Sequence, residues 1–244
     1  MSRMTADRTS PEGTDVPVPE RLIRAATQLL ADEGPAALKA RTVATATGLS
    51  TMVVYSHFGG VPELVRAVAD HGFEELGRAF AEASVTDDPV ADLFTMALVC
   101  RGIAQANPHL YDLMFGLSTR ASYRPAAVSD LRSGQSPAFH AAYAHVTEAC
   151  RRLAASDRVR PRMDVDAVAA GLWSYVHGFI TLELGDHFAG FDDPVAEVML
   201  PTGVALTVGL GDDQSRARRS HQKALRRHAS TAAGSGAATR PGTS

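Results

Sequence analysis

Apolar residues recur along most of the chain at intervals of three and four positions, the period of amphipathic helices. The first run, PERLIRAATQLLADEG, begins beside Pro19 and ends at Gly34, residue types that start and stop helices. Further apolar helices are predicted at 89–106, 108–115, 137–155, 165–188 and 194–210. We find no alternating run that predicts a strand, no internal repeat and no glycine-rich phosphate loop. The pattern predicts an all-α protein.

A tight break in this pattern lies in TVATATGLSTMVVYSHF. One short helical run stops at Gly48, and Ser50 is an N-cap residue type in front of a second run, Thr51–Phe58. Two short helices joined by a turn with Gly form a helix-turn-helix, whose second helix can enter the major groove of DNA. The expected small core is Val43, Ala44, Leu49, Val54 and Phe58. The expected exposed positions are Thr51, Met52, Val53, Tyr55 and His57. Because the generic motif also occurs in proteins that bind no nucleic acid, the turn alone leaves DNA binding open.

Composition is that of an ordinary globular chain: 244 residues, 45% hydrophobic, 21% charged, with a net charge of −3. Cys100 and Cys150 are too few for a disulfide framework and lack metal-ligand spacing. The first twenty residues hold no secretory signal, and the apolar run 167–185 carries His177 and Glu183, which are costly in lipid. We therefore expect a cytoplasmic protein with no membrane contact, no metal and no cofactor, in which 167–185 is a buried bundle helix.

Charge is unevenly distributed along the chain. Residues 212–244 contain seven Lys or Arg and two Asp, a charge of +5, so the remainder carries −8. The chain ends in ASTAAGSGAATRPGTS, whose small and polar residues cannot form a core. We therefore expect disordered tails at 1–16 and 212–244. The cations of the second tail either add nonspecific DNA affinity or only keep the protein in solution.

The segments RAATQLLADEG and VATATGLSTMVVYSHFGGVPELVRAV together resemble the N-terminal domain of the TetR family of bacterial transcriptional regulators, over roughly residues 21–80. The resemblance implies a DNA-binding domain at 17–60, a connecting fourth helix at 61–80, and a ligand-binding and dimerisation domain at 81–211. The residues that it implies for DNA contact are Lys39, Arg41, Thr42, Ser50, Thr51, Met52, Val53, Tyr55 and His57.

Three features depart from the family pattern. Lys39 stands where the family usually has a capping Ser or Thr, and Val61 where it usually has Lys. The recognition helix has no Arg, Lys, Asn or Gln for bidentate contacts to bases, so base reading would depend on the hydroxyls of Ser50, Thr51 or Ser56 and on contacts of Met52 or Val53 with thymine methyls. Residues 17–80 contain six Lys or Arg and seven Asp or Glu, and we therefore expect no broad basic face.

The C-terminal segment AAGLWSYVHGFITLELGDHF is similar to the Trp-x-x-x-His-Gly pattern of one TetR subgroup. The resemblance implies a ligand pocket among the middle helices and a dimer interface made by the last two, here 165–188 and 194–210. These two are apolar over a wide arc and rich in small residues. The candidate pocket residues are Met96, Cys100, Tyr111, Met114, Phe115, Phe139, Tyr143, Trp173 and His177. For His177, a purely structural role in the core is the competing interpretation.

The sequence thus predicts a ligand-responsive transcriptional regulator. We do not expect an enzyme, because no Ser/His or Cys/His neighbours form a catalytic arrangement. Its partners would be a double-stranded DNA operator, a small and mostly apolar effector, and a second copy. The expected mode is repression, with the dimer leaving a pseudo-palindromic operator on ligand binding; activation remains open. Two other functions stay open: a regulator that senses thiol oxidation, and a helical scaffold that has lost specific DNA binding.

Overall fold

The computed structural model describes residues 16–83, 85–115 and 136–237, with side chains to 230. Regular structure in these ranges is entirely helical, which confirms the all-α prediction. The chain divides into two compact units, one up to Val65 and one from Arg66. The first contains the helix-turn-helix, and the second is a helical bundle.

The first unit packs three helices and the start of a fourth around a small apolar core. Helix α1 (Val18–Glu33) is followed by a 3₁₀ turn (Pro35–Ala37), α2 (Ala40–Thr47), α3 (Thr51–Phe58) and the beginning of α4 (Val61–Glu82). The core side chains are Leu22, Ala26, Leu30, Val43, Ala44, Val54 and Leu64. The predicted core is confirmed for Val43, Ala44 and Val54, whereas Leu49 and Phe58 are only half-buried because they end the turn and the helix.

The turn between α2 and α3 depends on Gly48. This residue has φ of 68°, the left-handed conformation that favours glycine, and the Leu49 N–H donates to the Ala44 carbonyl at 2.9 Å. Ser50 lies in extended conformation at the N-cap of α3, but its side chain makes no capping hydrogen bond. Lys39 occupies the N-cap of α2, also without a side-chain cap, as the sequence predicted. Helix α3 therefore starts directly after this turn, and no side chain caps the N–H groups of its first turn.

The second unit is arranged around α5. Its helices are the rest of α4, α5 (Pro89–Ala106), α6 (Pro108–Phe115), α7 (Pro137–Ala155), α8 (Val165–Leu184), α9 (Leu200–Leu210) and α10 (Gln214–Ala237). Helix α5 packs against α6, α7, α8 and α10. The side chains of Asp88, Ser136 and Asp164 cap the starts of α5, α7 and α8. The predicted run 165–188 ends at Leu184, and 194–210 begins with a π-helical turn (Val195–Met199) before α9.

The predicted disorder of 212–244 is wrong for 214–237, which form α10. Ala217 and Ala224 are completely buried and His221 is 97% buried, because α10 packs against α5 and α9. The Asp213 carboxylate accepts the Arg216 N–H at 2.8 Å and so caps the helix. Within the basic run, Ala217, His221 and Ala224 recur at helical spacing and form a narrow buried face. Residues 1–15 and 238–244 lie outside the described residues.

A buried charge network fixes the start of α10. Arg158, in the α7–α8 connection, donates to the Asp212 carboxylate from Nε at 3.1 Å and to Ser220 Oγ at 3.0 Å. Its other terminal nitrogen donates to Asp88 at 2.5 Å, and Arg216 Nε donates to Asp212 at 2.7 Å. Three separate chain segments meet at one guanidinium. Removal of one partner from such a network strongly destabilises the fold, because it leaves a buried charge without its counterpart.

Helix α8 is much less buried than predicted. By length and composition alone it could span a membrane, yet only 17% of its most apolar window is buried within the chain. The expectation of a buried bundle helix at 167–185 is therefore wrong for a single chain, because α8 packs against α5 and α7 on one side only. The opposite side presents small residues to the surface: Ala167, Ala170, Gly171, Ser174, Gly178 and Thr181.

Candidate DNA-binding surface and effector cavity

The residues predicted to contact DNA lie on the surface of the first unit. Seven of them are exposed: Lys39, Arg41, Ser50, Thr51, Met52, Tyr55 and His57. Thr42 and Val53 are half-buried. Met52 is 70% exposed and Tyr55 is 50% exposed, unusual values for large apolar and aromatic side chains. Helix α3 thus buries Val54, half-buries Val53 and Phe58, and exposes its other side chains.

The local charge of this surface differs from the average of the domain. No acidic residue lies between Glu33 and Glu63, a stretch that contains Lys39, Arg41 and His57. Within the described ranges, neither Lys39 nor Arg41 makes an ion pair. The acidic residues that cancel them in the overall count lie on α1 and α4. A count over 17–80 therefore missed a weakly positive surface on α2 and α3.

The hydroxyl groups near the start of α3 differ in what they can bind. Ser56 Oγ already donates to the Val53 carbonyl at 3.0 Å, so its proton is committed within the helix. Ser50 makes no capping bond and Thr51 is exposed in the first turn. Since the first turn of a helix leaves N–H groups without helical partners, this end of α3 can bind an anionic oxygen such as a phosphate oxygen.

Six of the predicted pocket residues form one aromatic cluster in the second unit: Tyr111, Phe115, Phe139, Tyr143, Trp173 and His177. The His177 ring centre lies 4.2 Å from those of both Phe115 and Trp173, and the Tyr143 centre lies 5.2 Å from that of Trp173. Phe73, which sequence reasoning missed, joins the cluster at 5.3 Å from Phe139.

His177 is held as a neutral imidazole inside this cluster. The Tyr111 hydroxyl lies 2.6 Å from His177 Nδ1. Burial lowers the pKa of His177 to about 3, and burial also raises the pKa of Tyr111. His177 Nε2 is buried without a hydrogen-bond partner among the described residues. This orphaned polar atom makes the cluster a costly arrangement for a purely structural core.

A separate cavity lies beside the cluster, between α5, α7, α8, α9 and α10. It encloses about 50 Å³ that a water-sized molecule can reach. Of the predicted pocket residues, Met96, Cys100 and Trp173 line it. Tyr111, Met114, Phe115, Phe139, Tyr143 and His177 do not, because they pack on one another or, for Met114, against Gly72. Trp173 belongs to both sites.

Most of the cavity lining was missed in the sequence, including Phe94, Gly203, Thr207 and His221. His221 could not be recognised while α10 was expected to be disordered, and Gly203 matters only through its distance from His221. Burial raises the pKa of the Cys100 thiol to about 12, so it is not a thiolate at neutral pH. Within the described ranges, no group of three His, Cys, Asp or Glu side chains could hold a metal ion.

Two family models match the chain. The model described as bacterial regulatory proteins, tetR family, matches residues 22–68, and that described as tetracyclin repressor-like, C-terminal domain, matches residues 93–202. Together they cover more than half of the chain. The chain belongs to the TetR family. This TetR-family protein is therefore a DNA-binding transcription regulator, in which the helix-turn-helix is the DNA-binding element. A comparison with curated proteins gave no match.

Solved structures share the fold of this TetR-family protein. A protein of unknown function from Rhodococcus sp. RHA1 is 25% identical, with a TM-score of 0.66 over 83% of this chain and 100% of that chain. RolR without ligand is 15% identical, with a TM-score of 0.59 over 83% and 96%. The complex of RolR with resorcinol is 16% identical, with a TM-score of 0.55 over 83% and 92%. The two RolR comparisons bear on the fold alone.

Proposed function

We propose that this TetR-family regulator is a homodimeric repressor that leaves a pseudo-palindromic operator when a small, mostly apolar effector binds the second unit. The observation that carries the proposal is the exposed face of α3, with Met52 and Tyr55 at the surface of an acid-free segment. A helix that served only to pack would bury these side chains. Their exposure suits a surface that is covered by DNA.

The proposed contacts fall into two classes. Tyr55, His57, Lys39, Arg41 and Thr42 would meet phosphate oxygens and set the position of the protein on the duplex. The open first turn of α3, with Ser50, would add backbone N–H donors to a phosphate. These contacts carry little sequence information.

Base reading would depend on a few side chains of α3. Thr51 can exchange hydrogen bonds with a base edge, and Met52 and Val53 can contact thymine methyls. Each such contact discriminates less than a bidentate Arg–guanine pair. Because the apolar contacts would be with thymine methyls, we expect an operator with A·T pairs where α3 enters the groove. The two-fold dimer would place its half-sites about 34–36 Å, or a multiple of that, apart.

Homodimerisation is proposed from the surfaces of α8 and α9. The outer side of α8 has glycine and alanine at helical spacing, and a Cβ added at Gly171 or Gly178 would meet nothing within 4 Å. Leu182 and Leu206 are 44% and 38% exposed. A second copy would cover these apolar surfaces, and the absent side chains would let backbones approach closely. The sequence predicted an interface made by the last two helices, but α8 and α9 are followed by α10 in the structure.

The effector would bind in the cavity or in the adjacent aromatic cluster. Both are mostly apolar with few polar groups, the composition of small-molecule sites. The RolR complex with resorcinol is an instance of a small molecule bound to a protein of this fold. An effector would cause release only through a higher affinity for the arrangement that cannot span both half-sites, with a typical coupling of about 1–3 kcal/mol. Oxidation is the weaker candidate input, because Cys100 and Cys150 are both buried thiols.

The proposal is tested by fluorescence anisotropy with duplexes selected from a random pool and with the DNA upstream of the protein's own gene. Tyr55→Phe removes one hydroxyl and should weaken binding about three- to tenfold on every duplex. Met52→Ala should instead lower the preference for selected over random DNA. Gln28→Ala, an exposed change on α1, is the matched control.

Two outcomes would contradict the proposal. If no duplex is preferred over random DNA at physiological salt, the protein is the scaffold that has lost specific binding. If binding is specific but Tyr55→Phe and Met52→Ala behave like Gln28→Ala, another surface reads the DNA.

A further inference from the structure

We propose that His221, on α10, is a hydrogen-bond acceptor for a small apolar ligand bearing a single hydroxyl, bound in the cavity between α5, α7, α8, α9 and α10. The ligand class is that of a simple phenol or a short alcohol. The proposal deepens the proposed function, because it names the chemistry of the effector. It also gives α10 a part in binding.

The tautomer of His221 follows from its one hydrogen bond. Nδ1 lies 2.8 Å from the Ala217 carbonyl oxygen, which can only accept, so Nδ1 carries the proton. Burial lowers the pKa of His221 and outweighs the hydrogen bond to the Ala217 carbonyl, which raises it. The charge of Arg158 lowers the pKa and those of Asp88 and Asp212 raise it, and the net lowering keeps the ring neutral at pH 7. Nε2 then carries an unshared electron pair and can accept a hydrogen bond. The structure gives it no partner among the described residues, although His221 is 97% buried.

Because Gly203 has no side chain, α9 can pack close to the edge of the His221 ring that carries Nε2. A Cβ at position 203 would lie 2.8 Å from His221 Nε2 and 3.1 Å from its Cδ2, closer than real contacts allow. Both residues line the cavity. The two hydroxyls there are already engaged: the Tyr175 hydroxyl donates to the Met199 carbonyl, and Thr207 Oγ1 donates to the Gly203 carbonyl at 2.8 Å. Among the described side chains that line the cavity, His221 Nε2 is the nitrogen or oxygen acceptor left for a ligand.

The walls of the cavity define the rest of the ligand. Phe94 packs on the His221 ring at 4.6 Å between ring centres, and Trp173, Met96 and Cys100 complete an apolar lining. None of the described residues that line it is charged, so an ionised ligand would lose its hydration without compensation from them. The cavity volume of about 50 Å³ exceeds the roughly 10–15 Å³ that one water requires, but it is far below the roughly 300–1,000 Å³ of a pocket for a drug-sized molecule. A single-ring ligand would therefore require lining side chains to move, and the unbranched Met96 is suited to do so.

Phenol, anisole and toluene are the probes, because they share a ring but only phenol donates a hydrogen bond. Trp173 is the sole tryptophan of the chain and lines the cavity, so its fluorescence reports binding directly. In the wild-type protein all three should bind. In His221→Phe the affinity for phenol should fall about three- to tenfold, while those for anisole and toluene stay within twofold. His140→Phe, on the exposed side of α7, is the matched control.

The wild-type protein alone provides a second measurement if His221→Phe does not fold. Histidine ¹⁵N spectra should show His221 with its proton on Nδ1, and phenol but not toluene should shift Nε2 upfield. A proton on Nε2 instead, equal losses of phenol and anisole in His221→Phe, or no binding of any probe would each overturn the proposal. His221-dependent phenol binding with no release of DNA would leave the site established and refute effector-driven repression.

Discussion

Lowering the pH from 7 to 5 should destabilise the second unit through His177. In the folded chain this imidazole lies among the rings of Tyr111, Phe115 and Trp173, and burial lowers its pKa to about 3. In the unfolded chain the pKa returns to about 6.5. Between these values the unfolded state binds a proton that the folded state does not. Stability therefore falls as the pH drops below about 6.5 and stops falling below about 3.

The magnitude follows from the two pKa values. At pH 5 the unfolded histidine is almost completely protonated and the folded one is almost completely neutral. Integration of the proton-linkage relation between pH 7 and pH 5 gives a loss of about 2 kcal/mol in the free energy of unfolding from this one group. His221 should act in the same direction, since its pKa is also lowered.

The comparison with His177→Asn isolates the contribution of His177. The asparagine oxygen can still pair with the Tyr111 hydroxyl, but the side chain does not titrate. The loss of ring packing destabilises the variant at every pH, whereas all other titrating groups are common to both proteins. Urea unfolding at one fixed protein concentration, at pH 7 and pH 5, should show the stability advantage of the wild type shrinking by about 2 kcal/mol. An advantage that is the same at both pH values would refute a buried neutral His177.

Two further predictions concern α10 and the surface of α8. Arg158→Met leaves Asp212 buried without its main partner and should lower the free energy of unfolding by about 3–5 kcal/mol. The control Arg151→Met breaks an exposed pair and should lower it by less than about 1 kcal/mol. Equal effects of the two variants in urea unfolding would contradict the network. Gly178→Leu should convert the proposed dimer to a folded monomer in sedimentation velocity, since a Cβ at this position meets nothing within 4 Å in the single chain. The control Gly102→Leu, on α5, should leave the dimer intact. A Gly178→Leu protein that remains dimeric would show that the interface lies elsewhere.

Helix boundaries could be predicted closely because short-range chemistry determines them. Runs that start with proline after Asp or Ser, as at Pro89 and Pro137, begin and end in the structure where the pattern indicated. The helix-turn-helix was also recognisable, since Gly48 and the spacing around it are local features.

The features that sequence reasoning missed depend on long-range packing. The run QSRARRSHQKALRRH is mostly basic, and its buried face consists of Ala217, His221 and Ala224, which have no strong apolar signature. What orders α10 is a partner distant in sequence: Arg158 pairs with Asp212 across 54 positions. The cavity was missed with the helix, because His221 and Gly203 come together only when α10 docks.

The scarcity of cations on α2 and α3 has a consequence for how the regulator would find its site. If Lys39 and Arg41 of both protomers meet phosphates, about four counterions are released, and the affinity should fall with a log–log salt slope of about −4. Regulators with many phosphate contacts remain longer on random DNA. This one would spend less time there. A fourfold rise in salt would lower its affinity about 250-fold, a smaller loss than for a regulator with more phosphate contacts, and its specificity would depend mainly on the match between α3 and the bases.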